Sequence, residues 1–373
     1  MKILIAGDYY PRRRNQELLE KNSFSFFDEV KQFTAASDYS IVNFEGCVAD
    51  AADAPIDKCG PNLRCGKNAI ESVKYAGFNC VTLANNHFYD YGDSGAKKTL
   101  LACKEFDIDY VGGGLSLKEA QSILYKRIGN ETLAIINVCE TEFSIATDER
   151  GGSAPLNVVQ NYYAVQEARK KADIVLLIVH GGIEEFSYPS LRMKETYRFF
   201  IDAGADAVVN HHQHCISGYE VYKGKPIFYG LGNFCFDWVT ASVKWWEEGF
   251  MVSVDFSKQP FEYKLIPYMQ FSEKPKVDFD VSYNNFMAEI NDINKVINDD
   301  KQLEQKLRQF AIAQNELVFF EPYNSRISKG LFRRGLLKSC WDHDKLNSLL
   351  DRICCESNRD VLLAALAHSK KKK

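Results

Sequence analysis

The sequence has no long apolar run, no paired-cysteine motif and no excess of either charge. Its apolar stretches, such as residues 174–179, are far short of the ~20 residues that a membrane-spanning helix needs, so we expect no integral membrane segment. The 46 Lys and Arg residues nearly balance the 50 Asp and Glu residues. This balance argues against a nucleic-acid partner, because general nucleic-acid binders carry a basic patch. The 11 cysteines form no Cys-x-x-Cys pair, which favours reduced, buried thiols over a disulfide framework or a zinc–thiolate site.

Two common catalytic motifs are also missing, and we expect no signal peptide. Without a Gly-x-Ser-x-Gly nucleophile elbow, a serine hydrolase has little support. Without a Walker A pattern, an ATP-driven ligase is disfavoured. Residues 1–8 hold too short an apolar stretch for a signal peptide and predict a first strand instead. We therefore expect a cytoplasmic location.

Short aliphatic runs alternate with helical patterns up to about residue 256. The predicted strands are 2–7, 40–44, 79–83, 132–138, 173–179, 207–210, 226–229 and 250–254. The predicted helices between them are 67–76, 94–105, 157–171 and 191–203. This alternation predicts an α/β fold with a largely buried sheet.

Beyond about residue 274 the strand signals fade, and apolar residues recur at spacings of three and four. Helices are predicted at 283–298, 301–313, 331–340, 344–355 and 359–368, before a basic tail at 370–373. A chain of 373 residues is long enough for about two domains at ~150 residues each. We divide it into a domain of residues 1–270 and an α-helical region of residues 271–373.

Polar side chains follow five of the predicted strands. In order they are Asp8, Asn43 with Glu45, Asn85-Asn86-His87, His180 and His211-His212-Gln213-His214. Ligands bind outside the carboxyl ends of strands in open α/β sheets, so we expect these groups to converge. Carboxylate, carboxamide and imidazole suit Mn, Zn or Fe(II).

Taken singly, each group has an ordinary structural reading. Asp8 alone could cap a helix, and His180 alone could be a hydrogen-bonded core histidine. His212 and His214 alternate, so an extended backbone would point both to one side. Their joint placement favours a metal centre. Two adjacent metals would need a bridging carboxylate, and one set that could supply such a site is Asp8, Glu45, Asn86, His180, His212 and His214.

The same pieces resemble a known family. The matching runs are 6–8, 42–45, 84–87 with 90–92, 180–184, 204–214 and 221–234. They are similar to the capsule-synthesis CapA family, which is associated with poly-γ-glutamate capsules and belongs to the calcineurin-like metallophosphoesterase superfamily. The resemblance covers about residues 1–256.

This resemblance implies a four-layer α/β/β/α sandwich, here with an α-helical C-terminal extension, and two divalent ions of Mn, Fe or Zn. Asp8 and His214 would bind one ion. Asn86, His180 and His212 would bind the other, with Glu45 between them. The usual histidine after Asp8 is replaced by Tyr9-Tyr10, so one ion is expected to bind more weakly.

The resemblance also implies catalytic roles. His87 would protonate the leaving oxygen, beside Asn86, and Glu184 would act as an extra acid/base or contact a substrate amine. Substrate contacts are assigned to Arg64, Asn233 and His211. For Arg64, Glu184 and Asn233 a structural role is an equal alternative.

Together these features predict a metal-dependent hydrolase of bacterial capsule or surface-polysaccharide biosynthesis. Metal-bound hydroxide would attack a phosphoester of a small phosphorylated metabolite, with His87 as general acid. An alternative is an amide or γ-glutamyl hydrolase or transferase that acts on a capsule-polymer fragment. Another is a non-catalytic subunit of a polymer synthase. A homo-oligomer is compatible with the sequence.

Overall fold

Two large β-sheets stack face to face and carry helices on their outer sides. The computed structural model describes residues 1–237, 244–271, 275–313 and 343–370. The strands are β1 (Lys2–Tyr9), β2 (Tyr39–Phe44), β3 (Cys47–Val48), β4 (Arg64–Cys65), β5 (Cys80–Thr82), β6 (Asp109–Val111), β7 (Gly113–Gly114), β8 (Leu124–Ile128), β9 (Glu131–Cys139), β10 (Gly152–Ser153), β11 (Ile174–His180), β12 (Ala207–His211), β13 (Tyr219–Tyr222), β14 (Lys225–Phe228), β15 (Asn233–Cys235), β16 (Glu248–Asp255), β17 (Glu262–Gln270) and β18 (Val277–Asp278).

The helices flank the sheets in the first part of the chain and dominate its end. They are α1 (Arg14–Glu20), α2 (Lys31–Thr34), α3 (Asn68–Tyr75), α4 (Gly92–Glu105), α5 (Leu117–Ala120), α6 (Val158–Lys171), α7 (Leu191–Ala203), α8 (Lys244–Glu247), α9 (Tyr283–Ile297), α10 (Asp300–Ala313), α11 (His343–Cys354) and α12 (Glu356–Lys370), with a 3-10 helix at Ser25–Val30.

The first large sheet is parallel from β1 to one edge and antiparallel from β1 to the other, whereas the second has a parallel centre and two antiparallel edges. The first sheet runs β18-β17-β16-β1-β2-β5-β6, with β15 also paired to β1. The second runs β13-β14-β12-β11-β9-β8. Strands β1, β2, β5 and β6 are parallel to one another, and so are β9, β11, β12 and β14. The carboxyl ends of these parallel strands therefore form the rims at which polar side chains collect.

Alternate residues of the first sheet face two different cores. Ile3 and Ile5 belong to the core that includes the second sheet. Leu4 and Ala6 face the opposite side, toward helices α3 and α4. This alternation follows from the two-residue period of a strand. It confirms the predicted four-layer α/β/β/α sandwich.

All eight predicted strands and the four predicted helices up to residue 203 are present, with shifts of at most two residues at their ends. Ten of the 18 strands given above escaped prediction, and three of these have four or more residues: β8, β13 and β17. Strand β17 contains Pro267, which pairs with Phe250, and a proline within an apolar run argues against a strand. The other two lie at the edges of the second sheet, where their side chains are only partly buried.

The predicted helical C-terminal region is confirmed in its described part by α9 to α12. The predicted helix at 331–340 and residues 371–373 of the predicted tail lie outside the described residues. Phe286 and Ile290 of α9 pack into the core between the sheets, while the division at residue 270 stays a prediction. In the described part of the chain, no helix combines the length and the apolarity needed to cross a bilayer.

Candidate metal centre

The strand ends of both sheets meet at one buried cluster of carboxylates and imidazoles. Asp8 lies near the end of β1, Glu45 follows β2 and His180 ends β11. Two groups of three residues have ligand atoms that lie within 4.8 Å of one another. They are Glu45 with His180 and His212, and Asp8 with Glu45 and His214. The structure thus brings together five of the six predicted ligands, and both groups share Glu45.

Asn86, the sixth predicted ligand, lies beside the first group. Its Oδ1 is 3.0 Å from Nε2 of His180, and that same Nε2 is 3.1 Å from Nδ1 of His212. A nitrogen that faces both an amide oxygen and another imidazole nitrogen is well placed to share a cation with them. The ligand role of these six residues stays a prediction.

Glu45 is the most unusual member of the cluster. Its side chain is fully buried, and neither carboxylate oxygen has a hydrogen-bond partner among the described residues. A buried carboxylate without partners is costly. Oxygen Oε1 lies 3.9 Å from Nε2 of His180 and 3.5 Å from Nε2 of His214. A divalent ion on either side would satisfy it, so the donors fit a divalent metal.

Burial shapes the charge states of these groups. Burial raises the pKa of Glu45 well above its ordinary value, and the Asp8 carboxylate raises it further. Burial also lowers the pKa of His180 well below its ordinary value, helped by His212. Burial alone would raise the pKa of Asp8, but the adjacent imidazoles outweigh it and hold that pKa well below its usual range. His180 is therefore held in the neutral form that binds metals.

Two asparagines orient the candidate ligands. Nδ2 of Asn43 donates to Oδ1 of Asp8 at 2.7 Å and lies 3.3 Å from Nδ1 of His180. Oδ1 of Asn233 lies 2.9 Å from Nδ1 of His214, which leaves Nε2 of that ring to face Glu45. Such outer hydrogen bonds commonly fix the orientation of metal-binding imidazoles.

Asn233 reaches this position because β15 lies very close to β1. A Cβ atom at Gly7 would stand 2.0 Å from the carbonyl oxygen of Gly232, so only glycine permits the approach. Asp8 and Asn233 are then paired in register across the two strands.

The expectation of an extended backbone at the last histidines was wrong. Strand β12 ends at His211, and both His212 (φ 94°) and His214 (φ 55°) have left-handed backbones. The turn brings both rings to Glu45 by a different route from the predicted one. Left-handed non-glycine residues are uncommon and cluster at functional sites.

His87 sits beside this cluster in a buried polar unit. Its Nδ1 lies 2.7 Å from Oδ2 of Asp90 and 3.1 Å from Nζ of Lys58. Nζ of Lys58 also lies 2.5 Å from Oδ1 of Asp90. Burial and the Lys58 charge lower the pKa of His87 to about 4. Because Nδ1 is occupied, Nε2 is the ring nitrogen left for a ligand.

A cavity of about 300 Å³ opens beside the cluster, and we call it the inner cavity. Four predicted site residues line it: Asn86, His87, Glu184 and His212. The three predicted substrate contacts do not. Arg64 is exposed and donates to the backbone oxygen of Asp50. His211 is buried with its Nδ1 3.3 Å from Asp8, and Asn233 supports His214, so their contact with substrate stays a prediction.

Several residues of the inner cavity were missed at the sequence level. Glu142 lies 3.5 Å from Nε2 of His212, and it shortly follows strand β9. Like the five predicted groups, Glu142 is a polar residue shortly after an apolar strand, and this pattern could have identified it. Lys58 and the C-terminal residues Asp351 and Arg352 also line this cavity. They gave no such signal because they lie in a loop and in a helix.

Helix α12 is fastened to the rim by hydrogen bonds and ion pairs. Glu356 accepts from the backbone N–H of Thr141 at 2.7 Å. Arg192 joins Glu140 at 2.7 Å to Asp360 at 2.8 Å. Glu140 is fully buried, so this arginine compensates a charge that the rim would otherwise leave unpaired.

The chain is similar in sequence to known proteins. Residues 2–238 match the family described as "Bacterial capsule synthesis protein PGA_cap". The capsule biosynthesis protein CapA of Bacillus anthracis is 33% identical over 246 residues, which cover 64% of this chain and 60% of that protein. The PGA biosynthesis protein CapA of Bacillus subtilis is 34% identical over 236 residues, which cover 62% of each chain. The matched part of the chain thus spans about three fifths of these relatives.

One solved structure with a related shape is a 5′-nucleotidase from Candida albicans. The two structures superpose with a TM-score of 0.44 at 14% identity, over 83% of this chain and 56% of that one. The likeness is distant.

Proposed function

The chain belongs to the bacterial capsule synthesis family PGA_cap, and from this premise we propose that it is a metal-dependent phosphoesterase. Its substrate would be a small phosphorylated metabolite used in making a capsule or surface polysaccharide. The cytoplasmic location and the oligomeric state expected from the sequence stay predictions.

The observation that carries this proposal is the position of Glu45. Its two oxygens have no hydrogen-bond partner among the described residues and lie between two groups of donors. One of these groups reaches the inner cavity through His212, and His87 lines the same cavity. Two ions that share one carboxylate are the arrangement expected of two-metal hydrolysis. We assign Asp8 and His214 to one ion, and His180, His212 and Asn86 to the other.

Bound divalent ions would supply Lewis acidity toward the phosphoryl oxygens and a nucleophile at neutral pH. The chain's own residues do the rest. Asn43 holds Asp8 and His180 in place through its amide. Asp90 and Lys58 hold Nδ1 of His87. Nε2 is thereby the atom that can give a proton to the leaving oxygen.

The low pKa of His87 is compatible with this role once substrate binds. An anionic phosphoryl group in the inner cavity favours the protonated form of a nearby imidazole. Glu184 also lines this cavity and would act as a further acid/base or hold a substrate amine. A general acid of this kind typically contributes ~10²–10⁴-fold to the rate.

A second candidate activity comes from the relatives' names. The Bacillus subtilis relative is named for PGA biosynthesis, and the resemblance from sequence points to poly-γ-glutamate, whose links are amides. Hydrolysis or transfer of an amide or γ-glutamyl bond would use the same donors and His87 against a carbonyl. A non-catalytic subunit of a polymer synthase is the remaining alternative.

One experiment separates these candidates. The full chain, loaded with Mn²⁺, is assayed on a panel of phosphoesters and on γ-glutamyl peptides. We expect phosphoester turnover that falls ~10²–10⁴-fold in His87→Asn while bound metal is retained. Tyr163→Asn is the control, because Tyr163 is 67% exposed on α6 and does not line the inner cavity. Turnover of the peptides alone would favour the amide reaction. No turnover of either class would leave the non-catalytic role.

A further inference from the structure

A second cavity adjoins the inner one and differs from it in character. This outer cavity has a volume of about 470 Å³, and its lining is mostly apolar. Ile56, Phe143, Leu350 and Cys354 supply much of that lining. The inner cavity, by contrast, is lined by many charged groups. The two cavities are therefore suited to different parts of a ligand.

The two cavities adjoin each other. Glu142, Phe143 and Asp351 line both of them. A ligand whose reacting group lies beside Asn86 and His212 could pass these three residues and extend into the outer cavity.

The outer cavity is formed where α11 lies against the loop at residues 56 and 57. Asn347 donates to Oδ1 of Asp57 at 3.2 Å, and His343 contacts the other oxygen of that carboxylate. At the other end of the helix, Asn358 donates to Asp351 at 2.7 Å. These polar contacts hold α11 beside the cavity.

Helix α11 presents apolar side chains that its own packing does not use. None of its residues is buried, and Leu350 is 53% exposed. Isolated exposed leucines are ordinary, but an apolar surface that is concave and joined to a reactive site commonly marks a binding site. The position of Leu350 in such a cavity, rather than its exposure alone, is what suggests an occupant.

We propose that the substrate has two parts, a polar reacting group held in the inner cavity and a hydrocarbon arm held in the outer cavity. The chemical class is an ester of a phosphoryl group with an alcohol that bears an alkyl or similar apolar chain. Leu350 and Ile56 then determine specificity, and they do so without touching the reacting atoms. This inference rests on the proposed phosphoesterase function, because that function defines the reacting end.

The physical basis is the removal of the arm from water. Each buried methylene group strengthens binding by about threefold to fourfold. The gain continues along the arm until the outer cavity is filled. A short phosphoester would occupy only the inner cavity and would gain nothing from α11.

The test measures binding rather than turnover. Methyl-, propyl- and hexylphosphonate are titrated by calorimetry into the full chain loaded with Mn²⁺. We expect hexylphosphonate to bind more than tenfold more tightly than methylphosphonate. In Leu350→Gln, hexylphosphonate should lose about fivefold in affinity, and methylphosphonate should bind as before.

The matched control is Leu346→Gln. Leu346 lies one turn earlier on α11, is 49% exposed and does not line the cavity. It should leave all three affinities unchanged. A series in which the three phosphonates bind equally, or in which both glutamine variants behave alike, would overturn the inference and leave the proposed function standing. If no phosphonate binds and no phosphoester is turned over, the proposed function fails and this inference fails with it.

Discussion

The buried cluster of candidate ligands and the C-terminal wall, by which we mean helices α11 and α12, both contribute to the inner cavity but are built in opposite ways. The cluster residues lie at the ends of strands and are buried. They are oriented by buried neighbours, as Asn43 contacts both Asp8 and His180. Helix α11 of the wall has no buried residue. The wall is fastened by polar contacts such as Glu356 with Thr141. This difference suggests that the chemistry belongs to the core, while recognition belongs to a part that can vary without disturbing it.

The largest effect should follow from a change at the centre of the cluster. In Glu45→Gln we expect both ions to bind weakly, and turnover to fall to background. A bound metal raises the unfolding free energy of a protein by ~2.7 kcal/mol when the free metal concentration is 100 times the Kd. The rise in Tm that Mn²⁺ causes in the parent protein should therefore be lost. Thermal unfolding with and without Mn²⁺ measures this.

The thermal stability of the metal-free form of the same variant gives a further prediction. Glutamine removes a buried carboxylate that has no hydrogen-bond partner and lies against Asp8. Without metal, Glu45→Gln should unfold at the same temperature as the parent protein or higher. A metal-free variant that is much less stable would show that Glu45 has an ordinary structural role.

The next largest effect is expected at the joint between the two regions, which is the ion pairing of Arg192 with Glu140 and Asp360. Arg192→Met leaves the buried Glu140 without its cation and should cost about 2–4 kcal/mol of unfolding free energy. It should also loosen α12, which Arg192 holds through Asp360. Denaturant unfolding measures the first effect, and hydrogen exchange of residues 356–366 measures the second.

Arg198→Met serves as the control for that joint. Arg198 pairs with the buried Glu220, and the pair lies on α7 and β13 rather than on the wall. A comparable loss of stability is expected, but with unchanged exchange in α12. Equal loosening of α12 in both variants would refute a specific joint at Arg192.

The smallest effect is expected at Thr141. Thr141→Val removes the hydroxyl that donates to Oε1 of Glu356 at 3.1 Å, while the backbone N–H still donates to Oε2. The unfolding free energy should fall by about 1 kcal/mol. Amide hydrogen exchange in α12 should become faster, and the amount of bound metal should not change. A change in metal content would mean that the wall and the cluster are not separate.

The same contrast explains what the sequence could predict. Apolar strands that end in Asp, Asn or His are a local signal, so the α/β order and the cluster around Asp8, Glu45 and His180 could be foreseen. Strand β17 was hidden by its proline. The wall could not be foreseen, because Asp351 comes to the cavity only through long-range packing of α12 on the rim. The neighbours of Arg64 in space, Asp50 and Tyr91, could not be foreseen either, and its contact with substrate stays a prediction.

The most direct test of the account is the metal content of the chain. Elemental analysis would be performed on protein purified without a histidine tag and reconstituted with Mn²⁺, Fe²⁺ or Zn²⁺, beside Glu45→Gln and the double variant Asn86→Ala/His212→Ala. We predict close to two equivalents in the parent chain, a loss of both in Glu45→Gln, and retention of at most one in the double variant. A parent chain that holds no metal after reconstitution with any of the three would contradict the proposed metal centre.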